Sequence, residues 1–143
     1  MIDCGEGAQI RMRQMNVKTN RLGHIFISHL HGDHVFGLIG LISSFGMLNR
    51  TADLHIHSVP ELEKLMQPQL KFFCEGLSFK VIFHPIHPKE QELIYVVRSV
   101  QVFSIPLKHR IPSCGFLFEE KPRDRHIVRA MIDFYKIPNW RIH

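Results

Sequence analysis

Apolar and polar positions alternate along this chain in short blocks, and the blocks predict a mixed set of strands and helices. Met1 to Asp3 reads as the end of a strand, and Gly5-Glu6-Gly7 as a turn. Ala8 to Met15 has helical composition. His24 to Ser28 is a short apolar run of the kind buried in a sheet, and Val35 to Leu48 is apolar almost all round, as in a buried helix. Leu54 to His57 predicts another strand. Pro60, with Glu61 and Glu63 behind it, opens a helix toward Phe73. Lys80–His84, Leu93–Val97, Val100–Ile105 and Gly115–Phe118 read as strands. Asp124 caps a last helix reaching about Tyr135. Helices mixed with strands, and a run of adjacent strands in the middle, give an α/β or α+β layered sheet.

Composition narrows this to one domain over residues 1–143. The chain is 45% hydrophobic and 22% charged. A chain of this size buries roughly 68–70% of its unfolded surface, enough to form a core without disulfides. No apolar run reaches the ~18 residues of a membrane span, and no basic-then-apolar leader opens the sequence. Cys4, Cys74 and Cys114 are odd in number and widely spaced, which disfavours a disulfide framework or a thiolate zinc site and favours a reducing, cytoplasmic compartment. The formal charge of +5 favours an anionic partner. The basic residues from Arg11 to Arg21, around His109 and after Glu120 suit either a solvated face or a phosphate-tracking one.

The 11 histidines change the picture most. His29-Leu30-His31-Gly32-Asp33-His34 follows the predicted strand from His24. Side chains two apart on extended backbone share a side, so His29 and His31 can offer two imidazoles to one metal. Gly32 turns the chain, and Asp33 and His34 project beside them as a second half-site, although Asp33 also suits a helix N-cap. Imidazole and carboxylate ligands suit zinc, and are compatible with manganese or iron. Two metals ~3.5–4 Å apart would activate a water and stabilise both oxygens of a phosphoryl displacement. His109, after the strand ending at Ile105, is the natural third ligand for the His29/His31 metal. Asp3 and Glu6 either orient these imidazoles or stabilise a turn. His55 and His57 read as structural or exposed, and His84 and His87 as loop residues. Leu38–Ile42 is a core or dimer-facing stretch, and the Leu38–Leu48 helix is the surface expected to pair.

The blocks Ile2–Gln9, Ile25–His34, Gly37–Leu41 and Lys108–Glu119 closely resemble ribonuclease Z, a zinc endoribonuclease family of the metallo-β-lactamase fold that removes the 3′ trailer from precursor tRNA. The resemblance runs over nearly the whole chain and is nearest to the short, dimeric bacterial form. It implies a cytoplasmic homodimer acting on precursor tRNA, with His29, His31 and His109 on one zinc and Asp33 and His34 on a second. Asp33 would also accept the proton of the attacking water. The chain would form roughly one half of a four-layer αββα sandwich, leaving a sheet face or edge exposed. The remaining family ligands have no counterpart here. The expectation is therefore at most one zinc per chain and little or no nuclease activity for this polypeptide alone. Another metallo-β-lactamase-fold hydrolase, or a non-catalytic half-domain with one structural metal, are the alternatives.

Overall fold

In the computed structural model, which describes residues 1–122, 128–138 and 140, the strands form two three-stranded sheets. The first contains β1 (His24–Phe26), β2 (Leu54–Ser58) and β3 (Val81–Pro85), all parallel and in that order. Parallel neighbours need crossover connections, and helices provide them. Between β1 and β2 run α2 (Gly32–Val35) and α3 (Leu38–Met47); between β2 and β3 runs α4 (Glu61–Phe73). α1 (Ala8–Gln14) precedes β1, and Ile2 bridges Phe26, so the opening residues extend the sheet edge as the sequence predicts. The second sheet is an antiparallel meander of β4 (Glu92–Val96), β5 (Val100–Pro106) and β6 (Cys114–Glu120). α5 (Arg129–Phe134) follows; its expected cap, Asp124, lies outside the described residues.

The period of two along each strand sorts the first sheet into two faces. Ile25, Leu54 and Ile56 are fully buried in one apolar cluster with Leu38, Leu41, Ile42 and Phe45 of α3 and Leu62 and Met66 of α4. The opposite face carries His24, Phe26, His55, His57 and His84, and it meets aromatic rings of the second sheet. Tyr95 lies 4.0 Å from His24 between ring centroids, and Phe116 and Phe118 each 5.5 Å from Phe26. The outer face of the second sheet leaves Leu93, Ile105 and Leu117 exposed.

The single helix expected over Val35–Leu48 is instead two helices broken at Phe36-Gly37. Its cause is the opening loop. The Cys4 N–H donates to the His34 carbonyl at 2.7 Å, and the Gly37 N–H donates to the Cys4 carbonyl at 2.9 Å. A Cβ on Gly37 would lie 1.8 Å from the Gly5 carbonyl oxygen, so only glycine admits this approach. The break turns α2 independently of α3 and aims Asp33 and His34 toward the end of β1.

Candidate metal centre

β1 ends at Phe26, and the chain continues extended to His31, whose φ of −77° and ψ of 150° place it just before α2. This backbone sets Nε2 of His29 3.0 Å from Nδ1 of His31. His109 arrives from the loop after β5. Two backbone bonds pin that loop: Leu107 N–H to the Ser113 carbonyl and Cys114 N–H to the Ser28 carbonyl, both 3.0 Å. The second ties the start of β6 to the residue preceding His29. Ring centroids of His109 consequently lie 4.9 Å from His29 and 5.1 Å from His31. Ligand nitrogens of the three histidines all fall within 4.8 Å of one another, a grouping that can hold a metal ion. Burial, followed by the neighbouring His34, His31 and His109, lowers the pKa of His29 and keeps its imidazole neutral, the form that binds metal.

Asp3 organises the other half. Its backbone is left-handed at φ 52°, a conformation aspartate tolerates better than most residues. Its Oδ1 accepts the Ser28 N–H at 2.7 Å and its Oδ2 the Ser28 hydroxyl at 2.9 Å. The same Oδ2 lies 2.7 Å from Nδ1 of His34. His34 therefore donates from Nδ1, and its Nε2 lies 3.4 Å from the exposed Asp33 carboxylate. Ser28 Oγ is also 3.0 Å from Nδ1 of His29. With its own proton on Asp3, this hydroxyl accepts from His29 Nδ1–H and leaves Nε2 of His29 free toward His31. One carboxylate thus sets the tautomers of two histidines. The sequence suggested Asp3 for this role but missed Ser28, which carries no motif signal. Glu6 is exposed outside the network.

A second histidine cluster also escaped the sequence. His57, expected to be structural or exposed, is 2% exposed and therefore structural, and His84 lies in β3, as the strand expected over Lys80–His84 has it, rather than in a loop. Nδ1 of His24 is 3.1 Å from Nε2 of His57, and Nδ1 of His55 is 2.9 Å from Nε2 of His84. His24 stacks on His55 at 4.7 Å, and His57 on His84 at 4.6 Å. Burial, then neighbouring histidines and the terminal ammonium, push His24 down to about 4 and His57 down to about 3. These four rings stack and pair between the two sheets, whereas His29, His31 and His109 converge on one point.

A family model described as Anti-Pycsar protein Apyc1 matches residues 1–129. Ribonuclease Z of Bacteroides thetaiotaomicron is 63% identical over 143 residues, covering 100% of this chain and 45% of that protein. Ribonuclease Z of Parabacteroides distasonis is 56% identical over 138 residues, 96% of this chain and 45% of that protein. The chain thus spans about half the length of the curated relatives it matches. Among solved structures, the short form of human tRNase Z superposes with a TM-score of 0.78 at 29% identity, over 85% of this chain and 54% of that one. The metallo-β-lactamase fold protein YhfI of Bacillus subtilis shares the fold, with a TM-score of 0.56 at 16% identity over 93% of this chain and 53% of that one.

Proposed function

Since this chain belongs to the anti-Pycsar protein Apyc1 family and is a metallo-β-lactamase-fold relative of ribonuclease Z, we propose that His29, His31 and His109 form the zinc site of a tRNA 3′-processing endoribonuclease. The observation that carries this reading is the convergence of those three histidines within 4.8 Å of one another. Three imidazoles are a donor set zinc accepts, and they leave a fourth position open. Zinc bound there supplies Lewis acidity that lowers the pKa of a water and offsets charge on a phosphoryl oxygen.

The chain's own residues prepare that chemistry. Ser28 holds His29, and Asp3 holds His34, each through Nδ1 of the ring. In this reading Asp33, its side chain 80% exposed beside His34, accepts the proton of the attacking water and, with His34, forms the second half-site. Two ligands are too few for a stable second zinc. Among the described residues, Asp33 and His34 are the pair this reading assigns to it, so we expect at most one zinc and little or no nuclease activity from these 143 residues by themselves.

The same reading includes precursor tRNA as substrate, a cytoplasmic location and a homodimer. Among the described residues, no helix is long and apolar enough to cross a membrane, and Cys4, Cys74 and Cys114 are free thiols. Met47 and Leu48 at the end of α3 and Val17 after α1 are exposed around one hollow and supply an apolar face for a second copy. A second reading is another hydrolase of this fold that acts on other phosphodiesters. The 63% identity to a ribonuclease Z over the full chain weighs more.

Elemental analysis of freshly purified protein tests the site. One zinc per chain, absent in His31→Ala, is the expected result; none in the parent protein would overturn it. Precursor tRNA and bis(p-nitrophenyl) phosphate, offered to the same preparation, separate the two readings. Turnover of the small diester without tRNA cleavage would favour the second.

A further inference from the structure

The apolar cluster that anchors β1 and β2 to α3 and α4 draws on no residue beyond Phe83, so the second sheet lies outside it. Among the described residues, one backbone hydrogen bond crosses between the sheets, from the Cys114 N–H to the Ser28 carbonyl. The rest of that contact is side chains. His24, His55, His57 and His84 pack ring against ring, with centroids 4.6 to 5.4 Å apart, and Tyr95 covers His24 and His57 from β4. Ser104 shares the inner face of the second sheet with Phe116. Its hydroxyl is buried and, like Nδ1 of His57, has no hydrogen-bond partner among the described residues. The charges that act on these rings are one another and the terminal ammonium of Met1. Glu92 and Glu120 share the inner face by register but stand exposed at its ends. Among the described residues, His34 is the histidine that pairs with carboxylates, and none of these four does. A proton added here is therefore buried beside other imidazoles without a counter-charge.

We propose that this histidine layer is an acid-released latch between the sheets, and that its release withdraws His109 from His29 and His31. His109 rides on the loop between β5 and β6, and the Cys114–Ser28 bond that sets its distance is the tie that release breaks. The first sheet keeps its own core on the opposite face, so it holds while the second sheet parts from it. Closure keeps His24 at about 4 and His57 at about 3, and an opened ring returns toward about 6.5. The closed contact is thus at full strength above about 6.5 and weakens as the pH falls toward about 4. The latch goes beyond the function proposed above, because it concerns where His109 is held and not which ion or substrate the site takes.

Hydrogen exchange of the whole metal-free chain, resolved by NMR and expressed as protection relative to the intrinsic rate, tests the latch between about pH 8 and 5. The Cys114 amide reports the tie directly. Its protection should hold level down to about 6.5 and then fall at least about tenfold per pH unit, because each proton taken up on opening favours opening tenfold per unit. The Ile27 and Leu54 amides donate within the first sheet, to the His57 and Lys80 carbonyls. They exchange when that sheet itself unfolds, so their protection should stay at least about tenfold above that of Cys114 throughout. His24→Phe/His57→Phe keeps two rings in place without their titrating nitrogens. It should reduce the fall at Cys114 to less than about threefold per pH unit. Each single variant should lie between, so the comparison does not depend on the double variant folding. A Cys114 amide that exchanges together with Ile27 and Leu54 would make the event unfolding of the whole chain and overturn the latch. So would protection at Cys114 that does not change with pH, or an equal fall in the phenylalanine variants. Zinc content and its loss in His31→Ala judge the metal site separately, so either idea can fail while the other stands.

Discussion

Asp3 and His34, 31 positions apart in sequence, meet with Oδ2 of one 2.7 Å from Nδ1 of the other. This pairing closes the opening loop over the metal-binding segment, because the same carboxylate holds both the N–H and the hydroxyl of Ser28. Asp3→Ala removes all three hydrogen bonds and leaves a half-buried Ser28 N–H without its acceptor. A destabilisation of about 1–3 kcal/mol in a urea titration is expected. Zinc affinity should fall about 10–100-fold, because Ser28 and His34 lose their orientation. Unchanged zinc affinity by competition with a chromophoric chelator would show that Asp3 does not act on the site.

Gly37 and Gly32 both lie near the site but should respond differently to alanine. At Gly37 the added Cβ meets the Gly5 and Cys4 carbonyl oxygens at 1.8 and 3.0 Å. Both belong to backbone that must hold its place for Asp3 to reach His34. Gly37→Ala should cost about 3 kcal/mol or more. At Gly32 the obstacle is the Phe36 ring at 2.3 Å, but that ring is 72% exposed and can swing aside. Gly32→Ala should cost less than about 1.5 kcal/mol. Equal urea midpoints for the two variants would refute the account of the helix break.

The histidine layer between the sheets makes stability depend on pH. Folding holds His24 at about 4 and His57 at about 3, below their unfolded value of about 6.5. The unfolded chain therefore binds more protons as pH falls below about 6.5. The stability contributed by these neutral rings is complete above that pH and is lost on descent through about 4 and 3. Urea midpoints measured downward from about pH 8 should hold level and then fall below about 6.5. His57→Phe keeps an aromatic ring against Phe26, whose centroid lies 4.5 Å from that of His57. It also removes a buried Nδ1 that has no hydrogen-bond partner among the described residues, and it should make the acid fall shallower. An acid limb unchanged by this substitution would place the proton uptake elsewhere.

The apolar end of α3 predicts association. Met47 is 75% and Leu48 65% exposed, and Val17, which lines the same hollow, is 44% exposed. If this face pairs two copies, Met47→Asp/Leu48→Asp should shift the size-exclusion mass from dimer to monomer. The fold should survive, because neither side chain lies in the core. A monomeric parent protein would remove the dimer from the proposal.

The order of strands and helices and the metal-binding segment were legible in the sequence because both depend on local spacing. Alternation placed Ile25, Leu54 and Ile56 on a buried face, and the i, i+2 spacing after a strand set His29 beside His31 on extended backbone. His109 could be named from its position after a strand, but its distance from His29 depends on the pinning of the β5–β6 loop to Ser28. The remaining features arise from parts of the chain that meet only when folded. The break at Gly37 comes from the Cys4–Gly5 backbone, which reaches α2 and α3 from the far side of β1 in sequence. The stacked layer of His24, His55, His57 and His84 exists because β1, β2 and β3 are parallel neighbours in register. Spacing within one strand specifies which residues share its face; only strand order and sheet packing decide what that face meets.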